Sequence, residues 1–150
     1  MRNAATASAA MAVLALTVCK PQAVPEWASG SSYDAILNPP TDSAGRVMAP
    51  GFVDTMLVRL HVDSVSRDSV FGAYLVTVGD EQQLVRPSSG GTRRFAGVVR
   101  GDSCSIDLEP SVNDGRLRLR VTRTVTGYEG EWIRAWLVPV TGRVRAVRIA

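Results

Sequence analysis

The sequence predicts an all-β domain: an antiparallel up-and-down meander of about seven or eight strands closing into a small barrel, with a β-sandwich as the alternative. Three observations carry this. Beyond Pro50, apolar residues recur with a period of two, and no dozen-residue stretch places them at helical spacing. The runs are short and divided by turn residues, so neighbours in sequence pair as hairpins. Gly72, Gly97 and Gly130 fall on apolar strand faces, where a missing side chain relieves crowding and lets a sheet curl.

Candidate strands lie at 53–64, 69–79, 92–100, 103–109, 115–122, 125–138 and 143–149, with a weak one near 82–86. In the first pair, Ser66-Arg67-Asp68-Ser69 is a turn, and Met56, Val58, Leu60 and Val62 form one apolar stripe. The partner run is apolar on both faces, with Val70, Gly72, Tyr74, Val76 and Val78 on one and Phe71, Ala73 and Leu75 on the other. That leaves the register open and one face to be covered by the lead-in segment or by a partner. Gly101-Asp102 suits a type II′ turn, which needs glycine first. It sets Val99 against Cys104, Gly97 against Ile106 and Phe95 against Leu108, with Arg94 opposite Glu109 on the other face.

For the next hairpin a turn at Arg123-Thr124 sets Leu119 against Tyr128 and Leu117 against Gly130. Arg118 then meets Glu129, and Arg116 meets Glu131. Charges share one face and apolar groups the other, which a slip of one residue would destroy.

The N-terminal third reads differently. Residues 1–19 have the proportions of a secretory signal peptide: Arg2, then an apolar run from Ala9 to Leu16 too short to span a bilayer. Residues 20–50 are rich in Pro, Ser, Ala, Asp and Gly and read as a tether or lead-in, leaving 51–150 as the barrel. Trp27, Tyr33, Ile36 and Leu37 could dock part of that lead-in on the domain.

A chain of 150 residues is one domain by length, and 45% hydrophobic against 21% charged residues excludes wholesale disorder. Sixteen of the seventeen basic residues are arginine, which GC-rich codon usage explains. Fourteen acidic residues are interspersed among them, so no basic block tracks a nucleic-acid backbone and no nucleic-acid partner is expected.

No catalytic constellation emerges and the chain does not read as an enzyme. His61 is the only histidine, so no metal site and no cofactor are expected. Arg59, His61 and Asp63 share a face, but no Gly-x-Ser-x-Gly elbow presents a nucleophile. Glu129 and Glu131 resemble the paired carboxylates of glycoside hydrolysis until opposing arginines account for them as surface pairs. Arg116, Arg118 and Arg120 form a solvated row, or an anion-binding patch. Ser88-Ser89-Gly90-Gly91-Thr92 lacks the lysine and helix of a phosphate cradle, and Arg100-Gly101-Asp102 is explained by its turn.

Two resemblances add expectations. Leu16-Thr17-Val18-Cys19 resembles the lipobox of bacterial lipoproteins, with Val18 where that motif carries Gly, Ala or Ser. It implies acylation of Cys19 and a membrane anchor on the periplasmic side of the cell envelope; ordinary cleavage and secretion is the alternative. In that case Cys19 could pair with Cys104 in an oxidising compartment.

The runs Arg94-Phe95-Ala96-Gly97-Val98-Val99-Arg100-Gly101-Asp102, Ser103-Cys104-Ser105-Ile106-Asp107-Leu108 and Gly127-Tyr128-Glu129-Gly130-Glu131-Trp132 resemble small bacterial lipocalin-like barrels of the calycin type. That implies a barrel with an apolar cavity, for which Tyr74, Phe95, Tyr128 and Trp132 are the lining residues. A barrel this small is either filled by such side chains or open to a ligand.

The expectation is an exported envelope protein acting as a non-catalytic binding or interaction module. Its partner is an envelope protein or a small apolar or lipid-like ligand. The remaining alternative is a hydrolase without a recognisable motif. An exposed apolar patch near Phe71 and Leu75 over a filled interior would favour a protein partner.

Overall fold

The period-two alternation becomes eight strands in the computed structural model, which describes residues 26–42, 44, 46, 54–80, 93–111, 116–134 and 139–149. They are β1 Ser32–Leu37, β2 Met56–Ser66, β3 Ser69–Val78, β4 Arg94–Arg100, β5 Ser103–Leu108, β6 Leu117–Arg123, β7 Tyr128–Arg134 and β8 Val140–Ile149. Each pairs antiparallel with the next, and β1 pairs with β8, so the meander closes into a barrel. Closure rules out the sandwich. The weak strand near 82–86 and the end of the 125–138 run lie outside the described residues.

The barrel does not begin at residue 51. Its first strand, β1, comes from the segment read as a tether, and it joins β2 to β8. Tyr33, Ala35 and Leu37 point inward and are fully buried, while Ser32, Asp34 and Ile36 point outward. Upstream of β1, the Gly30 N–H donates to the Val62 carbonyl (2.8 Å) and the Val62 N–H donates to the Ser31 carbonyl (2.9 Å). These bonds carry Trp27 over the end of the barrel that holds the tight turns.

The β4–β5 hairpin has the expected register: Phe95 with Leu108, Gly97 with Ile106, Val99 with Cys104. Gly101 takes φ +57°, as the first position of a type II′ turn demands. The expected Arg94–Glu109 pair does not form. Their backbones are opposite, the Glu109 N–H donating to the Arg94 carbonyl (2.9 Å). Glu109, however, turns inward with φ +55° and is buried, and Arg94 reaches Asp63 at 2.8 Å.

The β6–β7 hairpin is displaced by four residues from the register expected. Leu119 pairs with Trp132, not Tyr128, and Arg120 with Glu131. The turn is longer than a dipeptide: Thr124 N–H donates to the Gly127 carbonyl at 2.8 Å. An even displacement returns every side chain to its own face, so polarity matching could not detect it. Arg118 and Arg116 instead both meet Asp107 across β5.

In β2–β3, whose register was open, Tyr74 pairs with Leu60 and Gly72 with Val62, and a shift between Val62 and Ser64 leaves Asp63 as a bulge residue. The inner face unites Tyr33, Leu37, Met56, Leu60, Phe95 and Trp132 with smaller aliphatics in one core.

Candidate functional site

Tyr74, Phe95, Tyr128 and Trp132 all face the interior, at 4%, 2%, 3% and 0% exposure. Each is fastened to protein neighbours. The Phe95 ring lies where a side chain on Gly72 would go, and Trp132 fills the space over Gly142 while its Nε1–H donates to the Asn38 carbonyl (2.8 Å). Tyr128 packs against Trp27, centroids 5.0 Å apart, and Tyr33 at 6.0 Å. The Tyr74 hydroxyl donates to Glu109 Oε1 (3.0 Å), which also accepts the Arg93 backbone N–H. The four belong to one hydrophobic core with Leu60 and Ile106, both fully buried.

Burial decides the chemistry of two inner groups. Cys104 is a free, buried thiol with its pKa pushed up to about 12 by desolvation; it is a small apolar filler rather than a nucleophile. The Tyr128 phenol is likewise raised to about 12, by burial first and then by Tyr33, Cys104 and Glu26, against a lowering influence of Arg123. Cys19, the expected acylation site, lies outside the described residues, as does the Ser88–Thr92 run.

The outer face holds the concavity. Cross-strand pairing builds rows there: Phe71–Ala96–Asp107–Arg118, Ser69–Val98–Ser105–Arg120–Glu131 and Arg100–Ser103–Thr122. Small residues on β4 and β5 (Ala96, Ser103, Ser105) make a floor, with Gly97 contributing only backbone. Phe71 bounds it on the β3 side, and Arg118 and Arg120 bound it on the β6 side. The result is a groove of about 950 Å³ whose lining reaches from β3 to β7. Phe71 is 42% and Val98 43% exposed, and Leu75 continues the apolar face along β3.

Electrostatics divide the groove in two. Arg118 forks onto Asp107, Nε to Oδ1 at 2.6 Å and Nη2 to Oδ2 at 3.0 Å. Its pKa is raised by that hydrogen bond. Arg120 approaches Glu131 only to 3.7 Å. Among the described residues, no carboxylate pairs with Arg100. Phe71 and Val98 thus give the groove its apolar part, while Arg120 on β6 and Arg100, on β4 two residues from Val98, keep guanidinium donors with spare capacity.

Glu129 and Glu131 are partners of Arg145 (3.6 Å) and Arg120; Glu131 lines the groove and Glu129 does not, so the two do not face one cleft as a pair. Asp102 of the turn binds Arg123 (2.7 Å). His61 sits between Ser32, whose Oγ is 3.0 Å from Nδ1, and Asp63, whose Oδ1 is 3.9 Å from Nε2. A nucleophilic relay needs both contacts at hydrogen-bond length and donors for an oxyanion. Here the carboxylate is too distant and is engaged by Arg94, and the strand amides are committed to the ladder. Among the described residues, no group of three or more His, Cys, Asp or Glu is placed to hold a metal ion, and no helix is long and apolar enough to cross a membrane.

Reading strands one at a time missed the groove, although its signal was present. Ala96 and Val98 on β4 and Ser103 and Ser105 on β5 are small outward residues brought side by side by the Gly101-Asp102 turn, with Phe71 and Arg118 flanking them. Comparison with protein-family models, curated proteins and solved structures finds no match.

Proposed function

We propose that the chain is an exported cell-envelope protein, anchored through acylated Cys19 on the periplasmic side. Its lipocalin-like barrel is a non-catalytic interaction module that holds a partner protein on the outer β3–β6 face. The carrying observation is a filled interior beneath an exposed groove with Phe71 and Val98 in its apolar part. A carrier of a small apolar ligand needs the reverse, since such ligands bury most of their surface in a concave site. The leader at 1–19 and its lipobox-like end support export and anchoring.

Native mass spectrometry of residues 20–150, exported and purified without detergent, tests this reading. The expected result is the bare mass of the chain. A retained small apolar molecule that leaves on denaturation would overturn it in favour of a carrier. Cell fractionation of Cys19→Ser tests the anchor: the variant is expected to leave the membrane fraction, and its retention there would count against acylation.

A further inference from the structure

We infer that the end of the barrel carrying the tight turns is a lipid-facing surface, seated on the anionic headgroups of the bilayer that holds acylated Cys19. Val125 and Val65 enter the interface there, and Arg67, Arg100 and Arg148 meet lipid phosphates. The inference rests on the anchored reading and adds which end of the barrel the membrane touches.

Topology gathers this surface. In a closed up-and-down meander the connections alternate between the two ends. The β2–β3, β4–β5 and β6–β7 turns therefore share one end with the start of β1 and the close of β8. Main-chain bonds tie the turns together: the Val99 N–H donates to the Asp68 carbonyl (2.6 Å) and the Arg123 N–H to the Asp102 carbonyl (2.8 Å). Arg123 also binds the Asp102 carboxylate (2.7 Å) and reaches Glu26 of the lead-in at 3.4 Å. Trp27, only 6% exposed, seals this end.

The length of the lead-in brings that end to the membrane. Cys19 precedes Glu26 by seven residues, and seven residues span at most about 25 Å. Glu26 is bound to the turn end through Arg123. An acyl anchor on Cys19 therefore keeps Glu26, and the turn end with it, within that distance of the acyl chains.

The chemistry of the turns suits such a neighbour. Val125 is the most exposed of the large apolar side chains, at 74%, and stands on the β6–β7 turn, while exposed Val65 leads into the β2–β3 turn. Among the described residues, Arg67, Arg100 and Arg148 make no ion pair and no side-chain hydrogen bond. Asp102 and Glu26 are both engaged by Arg123, so these three guanidinium groups face one uncommitted carboxylate at the turns, that of Asp68. Guanidinium forks bind phosphate at two points. Each basic residue beside an anionic bilayer is worth about fivefold in partitioning. Apolar tips among them match the boundary between headgroups and acyl chains.

The test uses the full chain, purified from its own cells and reconstituted in vesicles of phosphatidylethanolamine and phosphatidylglycerol. A photo-crosslinking residue is placed at Val125 and, as a control, at exposed Thr55, which precedes β2 at the far end. Mass spectrometry of the adducts reads what each position touches. Phospholipid is expected on Val125 and not on Thr55. Arg67→Glu, Arg100→Glu and Arg148→Glu combined should cut that capture about fivefold or more. Exchanging phosphatidylglycerol for phosphatidylcholine should do the same, while the acyl anchor keeps the chain on the vesicles. Arg143→Glu, towards the other end of β8, should leave capture unchanged.

No lipid on Val125, or equal capture at Thr55, would overturn the inference. So would a yield indifferent to the charge reversals or to the loss of phosphatidylglycerol. The anchored reading would then still stand. A chain purified without acyl groups on Cys19 would remove both.

Discussion

Trp27 lies against Tyr33 with ring centroids 4.2 Å apart, tilted at 41°, which makes a residue ahead of the first strand part of the core. Trp27→Ala is expected to lower the unfolding free energy by about 3–5 kcal/mol, the range for a buried tryptophan. Its indole N–H is buried without a hydrogen-bond partner among the described residues, so Trp27→Phe should lose much less. Urea unfolding of both variants measures this. A loss below about 1 kcal/mol for Trp27→Ala would mean that the barrel holds without its cap.

The β6–β7 register gives a second expectation. A double-mutant cycle on Arg120 and Glu131, truncated singly and together, should show coupling of about 0.2–1 kcal/mol. The same cycle on Arg118 and Glu129 should show none, because Arg118 belongs to Asp107 and Glu129 to Arg145. Coupling found in the second cycle and not in the first would restore the shorter turn.

Two glycines should respond to alanine for different reasons. At Gly130 an added Cβ would overlap the Arg120 backbone carbonyl oxygen, so Gly130→Ala must force β6 and β7 apart. A cost of about 3 kcal/mol or more is expected, the scale of a severe packing clash. At Gly101 nothing lies within 4 Å of such a Cβ, and only the φ of +57° opposes it. Gly101→Ala should cost about 1–2 kcal/mol. Thermal unfolding that ranks the two in the opposite order would place the close approach elsewhere.

Alkaline pH should destabilise the fold. Cys104 and Tyr128 both have folded pKa values raised to about 12, from 9.0 and 10.0. The unfolded chain therefore releases these protons first. Stability is whole below pH 9 and drains as pH rises towards 12. Cys104 accounts for about 2.5 kcal/mol of the fall between pH 8 and pH 11. In Cys104→Ala the fall should shrink by about that amount, whatever the variant's starting stability. An equal fall in both proteins would show that the thiol does not titrate this way.

Alternation and turn chemistry made most of the fold legible. Met56, Val58, Leu60 and Val62 announce a strand with one buried face, and Gly101-Asp102 alone sets a correct register. β1 was hidden by its surroundings: Tyr33, Ala35 and Leu37 alternate over only six residues, next to Pro39-Pro40 in a segment with the composition of a linker. The β6–β7 displacement was illegible in principle, since a four-residue slip preserves every inside–outside assignment and only the Thr124–Gly127 bond distinguishes it. The groove belongs to no single strand. Its residues meet only after β3, β4, β5 and β6 are aligned, so it could be read only as far as the registers were right.

Pairing of Ser32–Leu37 with Val144–Ile149 joins the two ends of the domain in sequence. Until those last residues arrive, β1 has one unsatisfied edge and β7 another, each a template for a foreign strand. Completion is therefore a late, long-range event, of the kind that slows folding through the entropy of closing a large loop. A nascent chain passes through an interval of vulnerability, and removing β8 would make that interval permanent. β8 acts as the clasp of the molecule, covering the edges of both β1 and β7.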